Sequence, residues 1–133
     1  MDPFARSFSR TMTLAADTSH LAEVRRFVEQ AAADAGLLDE RVFDVKVAVS
    51  EACANAVEHA GDAVESLTVD ATLDTATLTF VVSDAGVFRP PVLHRRSARN
   101  LGLGLPLMVA LMDEVRFTRG AAGGTVVSLS VQL

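Results

Sequence analysis

The sequence predicts an α+β fold, a two-layer α/β sandwich in which helices cover one face of a mixed, mostly antiparallel sheet. The predicted elements follow the order β-α-α-β-β-loop-α-β-β, so helices and strands are partly segregated along the chain. This segregation favours a sheet with helices on one face over a doubly wound fold, in which strands and helices alternate. The length of 133 residues is typical of one domain, and we expect residues 1–133 to form it.

The N-terminal half predicts one strand and two helices. Residues 7–15, SFSRTMTLA, alternate in polarity, which indicates a strand. Apolar residues at helical spacing then predict a helix, for which Asp17 and Thr18 are N-cap candidates and Gly36 is the C-terminal stop. A second helical pattern covers residues 39–60 and is followed by a glycine.

The C-terminal half predicts two strand pairs separated by a loop and a helix. Residues 65–84, ESLTVDATLDTATLTFVVSD, alternate on both sides of a turn at 74–75, which is typical of a hairpin. Residues 84–100 are rich in Gly, Pro and Arg and predict a loop. A third helix begins near Gly104, and the chain continues with a strand, a turn at 120–124 and a last strand.

Composition and missing motifs exclude several classes of function. The net charge of −5 argues against direct nucleic-acid binding, and the single Cys53 excludes an internal disulfide. No apolar run reaches the roughly 18 residues of a membrane span, and the N-terminus has no apolar signal segment, so we expect a cytoplasmic protein without a membrane partner. There is no P-loop, no eukaryotic-type kinase motif set and no serine nucleophile elbow. The histidines also lack zinc-site spacing.

The second predicted helix, in the stretch VSEACANAVEHA, carries Glu51, Asn55 and His59 in a row at intervals of four residues, with Glu58 beside Glu51. The row has two interpretations, and the helix alone does not decide between them. It is either a solvated helix face or part of a phosphate-transfer site. In such a site a carboxylate accepts a proton from an attacking hydroxyl, and an amide oxygen completes a Mg²⁺ shell of phosphates and waters.

Two glycine-containing stretches bear on this choice. Asp84-Ala85-Gly86 follows an apolar strand, where an acid can accept a hydrogen bond from an exocyclic amine and glycine lets the backbone approach a flat ring. Gly102-Leu103-Gly104 opens the third helix, where free backbone N–H groups can hold phosphate. Taken singly, the first stretch is also an ordinary turn and the second an ordinary loop-to-helix junction.

In this order and spacing, and with Gly124-Thr125 in the last strand, these motifs resemble the Bergerat-fold (GHKL) ATPases. Within that superfamily the stretches SEACANAVEHA and LGLGLPLMVALMDEVRF are similar to the bacterial anti-sigma-factor serine kinases. The resemblance covers nearly the whole chain, from the first helix to the last strand. Its order of elements is the one predicted independently from the hydrophobic pattern.

The resemblance implies a Mg·ATP site. Glu51 would be the general base, Asn55 the Mg²⁺ ligand, and Asp84 the acceptor for the adenine amine. The remaining implied nucleotide-binding residues surround the adenine and the phosphates: His59 in a supporting role, Gly86, Gly102, Leu103, Gly104 and Thr125.

The resemblance also implies an activity and partners. The chain would be an ATP-dependent serine/threonine kinase and anti-sigma factor that binds a sigma factor as a homodimer. It would phosphorylate a small STAS-type anti-anti-sigma antagonist, which could then no longer displace the sigma factor. The sequence adds its own reason to expect a dimer, because the first strand is apolar at Phe8, Met12 and Leu14 and no predicted helix covers the outer face of the sheet.

Two alternatives remain open. Val87-Phe88 stands where the family pattern has a second glycine, which favours a non-catalytic ATP/ADP-binding partner-switching module. A detached histidine-kinase catalytic domain fits less well. The chain is too short for an added phosphoacceptor domain, and the form Glu-Ala-x-x-Asn-Ala-x-x-His-Ala is more similar to the serine kinases.

Overall fold

The computed structural model describes residues 7–60, 66–84, 104–120 and 124–133. The predicted order of elements is confirmed, with one short 3₁₀ turn added after the first strand. The elements are β1 Phe8–Ala15, the 3₁₀ turn Thr18–His20, α1 Leu21–Ala35, α2 Asp39–Ala60, β2 Ser66–Asp74, β3 Thr77–Asp84, α3 Gly104–Leu111, β4 Glu114–Arg119 and β5 Thr125–Gln132. Among the described residues, no helix is long and apolar enough to cross a membrane.

The strands form one sheet in the order β1-β2-β3-β5-β4. All neighbouring strands pair antiparallel, so the expected mixed sheet is in fact antiparallel wherever it is described. The last strand in the sequence, β5, is an inner strand that lies between β3 and β4. The predicted α+β sandwich with helices on one face is confirmed.

The hydrophobic core lies between the sheet and the helices. Alternate residues of β2 and β3 are buried, as the period of two predicts, and Phe80 is the largest fully buried side chain. The helices α1 and α2 pack against each other and cover one face of the sheet. Their buried residues include several alanines, among them Ala31 and Ala32 on α1 and Ala48 and Ala52 on α2.

The helix α1 is terminated by Gly36, as the sequence predicts. Gly36 has a φ of +91°, a left-handed conformation that glycine adopts without steric cost. Its N–H donates to the Ala33 carbonyl at 3.0 Å, and the Leu37 N–H donates to the Ala32 carbonyl at 3.1 Å. These bonds satisfy carbonyls that the helix end leaves without partners.

The predicted N-cap of α1 is wrong. Asp17 Oδ1 accepts a hydrogen bond from the Ser19 N–H at 2.9 Å and therefore caps the 3₁₀ turn that precedes α1. That bond lowers the pKa of Asp17 below its usual value. The N-cap position of α1 is His20, which makes no side-chain capping bond.

The β2–β3 hairpin is shifted by one residue from its predicted turn. Asp74 pairs with Thr77, and the turn residues are therefore Thr75 and Ala76. Thr75 has a φ of +56°, which is uncommon for a β-branched residue. The sequence signal pointed to Asp74 because Asp is a frequent turn residue, yet Asp74 ends the strand.

The outer face of the sheet is polar. The apolar residues of β1, which we expected to favour a dimer contact, pack instead against the core, where Leu14 is buried. On the opposite face, the Thr79 and Ser130 hydroxyls are hydrogen-bonded at 3.1 Å, and those of Thr13 and Thr68 are 3.5 Å apart. A partner that covers this face would therefore contact mainly hydroxyl groups.

Cys53 is expected to make the fold less stable as the pH becomes alkaline. Burial on α2 raises the pKa of its thiol to about 12, whereas an unfolded cysteine titrates near about 8.5. Between about pH 8.5 and the raised pKa of the folded state, the thiol of the unfolded chain loses a proton that the folded chain keeps. We therefore expect the free energy of unfolding to fall with pH, with a slope that approaches about 1.4 kcal/mol per pH unit.

Urea unfolding at a series of pH values from neutral to strongly alkaline measures this slope. The sequence suits the experiment because Lys46 is its one lysine and it has no tyrosine. The Cys53→Ala variant is the control and is expected to lack this part of the slope. Equal slopes in the two proteins would contradict the prediction.

Candidate functional site

The two flanks of α2 have different neighbours. On one flank, Lys46 Nζ is 2.8 Å from Glu29 Oε2, and Arg25 Nε donates to Ser50 Oγ at 3.3 Å, so this flank faces α1. On the other flank, Arg41 Nη1 donates to the Leu111 carbonyl oxygen at 3.0 Å, so this flank faces α3.

Glu51 and Asn55 lie on the α3-facing flank. With about 100° of rotation per residue, both positions fall within roughly 80° of Arg41 and away from Lys46 and Ser50. Both residues are half-buried, whereas Phe43 on the solvent side of the same helix is 62% exposed. The carboxylate and the amide stand at the boundary between the helical layer and its surroundings.

Asp84 and Thr125 are neighbours across the sheet. Ser83 pairs with Val126 in the β3–β5 ladder, and the register continued by one residue puts Asp84 opposite Thr125. Both share the helix-facing side of the sheet with buried core residues two positions away, Val82 and Val127. Directly opposed residues have Cα atoms about 4.5–5.5 Å apart. The structure thus brings together the two residues that the resemblance assigns to the adenine.

Contacts at the start of α2 show which way the helix runs over the sheet. Arg41 Nη2 is 3.6 Å from Asp113 Oδ2, and the same oxygen accepts the Gln132 N–H at 2.6 Å. The first turns of α2 therefore lie at the Gln132 end of β5. Because α2 packs over β3 and β5, its later turns lie toward the other end of these strands.

The lengths of α2 and β5 support the same arrangement. Asn55 is about 21 Å along the helix from Arg41, and Thr125 is about 24 Å along the strand from Gln132. The part of α2 that carries Glu51 and Asn55 therefore extends toward the sheet end formed by Asp84 and Thr125. Catalytic, metal-ligating and adenine-binding candidates converge on one end of the molecule.

The helix α3 extends toward the same end. Its last residue, Leu111, contacts Arg41 near the beginning of α2, and α3 packs against α2. Its first residue, Gly104, therefore lies farther along α2, in the direction of Glu51. The backbone N–H groups of the first turn of α3 point along its axis, away from Leu111 and therefore toward the same end of the molecule.

The remaining predicted residues lie partly or wholly outside the structural description. His59 belongs to α2 by its backbone, but its side chain is not among those described. Gly86, Gly102 and Leu103 lie outside the described residues, as does the predicted loop from 85 to 100. Within the described ranges, no group of three or more His, Cys, Asp and Glu side chains could hold a metal ion.

Sequence reasoning missed Arg41 and Asp113. Their contacts connect α2, α3 and β5 at the end of these elements that lies away from the candidate site. No local signal could have identified Arg41, because its carbonyl partner is 70 residues away in the sequence. Its acidic neighbour one turn along the helix, Asp44, predicts only an ordinary intrahelical ion pair.

Comparison with known proteins identifies relatives of the chain. Residues 14–131 match the family model described as a histidine kinase-like ATPase domain. The serine-protein kinase RsbW of Halalkalibacterium halodurans is 32% identical over 116 residues, which cover 78% of this chain and 72% of that protein.

Solved structures show the same similarity. The structure of the RsbU and RsbW domains of a Mycobacterium tuberculosis protein is 30% identical, with a TM-score of 0.71, and the match covers 95% of this chain. This chain spans only 32% of that longer chain. The histidine kinase domain of the blue-light activated histidine kinase EL346 from Erythrobacter litoralis is 20% identical, with a TM-score of 0.54, over 90% of this chain and 62% of that one. This second likeness shows the fold alone.

Proposed function

Because the chain belongs to the histidine kinase-like ATPase domain family, and within it to the RsbW type of serine-protein kinase, we propose that it is an ATP-dependent serine/threonine kinase and anti-sigma factor. The arrangement of the elements supports the proposal. The contacts of Arg41 and Asp113 and the β3–β5 register set the directions of α2, α3 and β5. From these directions we infer that the α2 flank with Glu51 and Asn55, the start of α3 and the Asp84–Thr125 pair lie toward one end of the molecule.

Asp84 and Thr125 are proposed to hold the adenine. The Asp84 carboxylate accepts a hydrogen bond from the exocyclic amine, and Thr125, its neighbour on β5, supports it through a water. Gly86 would leave room for the flat ring. Asp84 is partly buried, so its hydrogen bond to the base is partly protected from competing water.

The phosphates are proposed to lie between α3 and α2. Backbone N–H groups around Gly102, Leu103 and Gly104 would hold them at the helix start. Asn55 offers an amide oxygen on a half-buried flank, which suits a cation that takes its other ligands from phosphates and waters. When bound, Mg·ATP supplies the γ-phosphoryl group and the cation neutralises phosphate charge.

Glu51 is proposed as the general base. The Ser or Thr hydroxyl of the protein substrate passes its proton to the Glu51 carboxylate while its oxygen bonds to the γ-phosphorus. The bond between that phosphorus and the bridging oxygen breaks, and ADP leaves with the electron pair. Nucleotide binding alone needs no base, so the presence of Glu51 beside Asn55 favours catalysis.

The proposed partners are a sigma factor and a STAS-type anti-anti-sigma protein, with no direct contact to nucleic acid. The kinase would hold the sigma factor until the antagonist displaces it, and phosphorylation would stop the antagonist from doing so. We place this exchange in the cytoplasm, where sigma factors act. The net charge of −5 is consistent with protein partners rather than DNA.

We further propose that the chain works as a homodimer. Its partner surface would be the polar outer face of the sheet, where hydrogen bonds rather than apolar burial would dominate. Sedimentation equilibrium at micromolar concentration should give twice the mass of one chain. A monomer over the whole range would contradict the proposal.

The alternative function is a non-catalytic module that switches partners according to bound ATP or ADP. Val87-Phe88, in place of a second glycine, is the observation that favours it. Incubation with γ-labelled ATP and STAS-type proteins of the same organism separates the two functions. Label on a Ser or Thr of an antagonist supports the kinase, and nucleotide-dependent binding without transfer supports the module.

A further inference from the structure

The short helix α3 depends on its surroundings for its position. It has eight residues, fewer than an isolated helix needs to be stable in water. Its C-terminal half is held in the core by Met108 and by the adjoining Met112, both buried. The Asp113 N–H then donates to the Ser130 carbonyl at 3.0 Å, which ties the end of the helix to β5.

Arg41 joins this end of α3 to α2. Its Nη1 donates to the Leu111 carbonyl oxygen at 3.0 Å, one of the carbonyls that a helix end leaves without a partner. Its Nη2 is 3.6 Å from Asp113 Oδ2, and that oxygen also accepts the Gln132 N–H. The planar guanidinium thus contacts the end of α3 directly and is linked to β5 through Asp113. A lysine ammonium cannot reproduce this geometry, since it is a single point charge.

We propose that Arg41 is a positioning residue for phosphate binding. This proposal rests on the function proposed above. By holding the C-terminal end of α3 against α2, it sets the distance between the start of α3 at Gly104 and the flank that carries Glu51 and Asn55. Arg41 contacts no nucleotide itself, because it is about 15 Å along the helix from Glu51. It acts on the phosphates through α3.

The proposal predicts a selective loss of affinity. The adenine is held by Asp84 and Thr125, which belong to β3 and β5 and do not depend on α3 for their register. The Arg41→Met variant should therefore bind ATP about tenfold more weakly, because the charge-assisted hydrogen bond that fixes the end of α3 against α2 is lost and the start of α3 is less well positioned for the phosphates. Its affinity for adenosine should change by less than about twofold, since adenosine has no phosphate.

Calorimetric titration of ATP with Mg²⁺, and of adenosine by competition, measures both affinities. Lys46→Met is the matched control, because it removes a cation from the same helix on the flank that faces α1. It should leave both affinities unchanged. Arg41→Lys keeps the charge without the planar fork and should lie between the wild type and Arg41→Met.

The outcomes are distinguishable. A lower ATP affinity with unchanged adenosine affinity in Arg41→Met supports the positioning role. Equal losses for both ligands, an equal ATP loss in Lys46→Met, or no loss at all overturns it while the proposed function stands. If Arg41→Met does not fold, the same comparison in Arg41→Lys decides. A wild-type protein that binds no ATP refutes the proposed function and this inference with it.

Discussion

Replacement of Glu51 by Gln is expected to slow phosphate transfer to the antagonist by about two to four orders of magnitude. Glutamine has the same shape but cannot accept the hydroxyl proton, so the attacking oxygen stays protonated. ATP affinity should change by less than about twofold, because the proposed base does not hold the nucleotide. The measurement is single-turnover transfer from γ-labelled ATP at saturating nucleotide.

A matched control exists on the same helix. Glu40 lies in the first turn of α2 and is exposed, and Glu40→Gln should transfer phosphate at the wild-type rate. The half-buried position of Glu51 on the flank that faces α3 is the structural difference between the two acids. Transfer at the wild-type rate in Glu51→Gln would show that another group is the base. Loss of transfer in both variants would point to a general effect on α2.

Replacement of Asn55 by Ala is expected to abolish the dependence of ATP affinity on Mg²⁺. The amide oxygen is the one protein ligand that we propose for the cation, and alanine offers no oxygen in its place. Binding with Mg²⁺ should weaken at least about tenfold, while the weaker binding in chelator should stay the same. Calorimetric titration of ATP with Mg²⁺ and with chelator measures both quantities.

Two further variants serve as controls for the Asn55→Ala result. Ser50→Ala changes the same helix on the flank that faces α1 and should retain the Mg²⁺ dependence. Asp84→Asn should weaken binding in both conditions, because it alters the adenine contact rather than the cation site. An Asn55→Ala protein that keeps its full Mg²⁺ effect would exclude Asn55 as the ligand.

Much of the fold could be predicted because its signals are local. The alternating polarity of β2 and β3 and the apolar periodicity of α1 and α2 correspond to faces that are buried in the structure. Gly36 ends α1 because the left-handed backbone conformation at this position requires only one suitable residue, a glycine. The 3₁₀ turn after Asp17 could not be predicted, because the same Asp side chain caps a 3₁₀ turn or an α-helix equally well.

The site could be predicted only as a set of motifs. Spacing along one helix singled out Glu51 and Asn55 as candidates, and a strand end singled out Asp84. That Asp84 stands opposite Thr125 follows from strand pairing across the sheet, which no single motif encodes. Arg41 stayed unrecognised for the same reason, since its partners come from α3 and the region before β4.

The inner position of β5 has a consequence for how the protein matures in the cell. The strand is flanked by β3 and β4, and its first residue completes the proposed adenine pocket. A ribosome makes β3 well before β5, so the nascent chain exposes the unpaired backbone edge of β3 until β5 has emerged. During that interval the chain can neither complete its sheet nor form the proposed adenine pocket. The proposed nucleotide binding therefore begins only after synthesis of β5, and we expect a product truncated before β5 to be a substrate for chaperones and proteases.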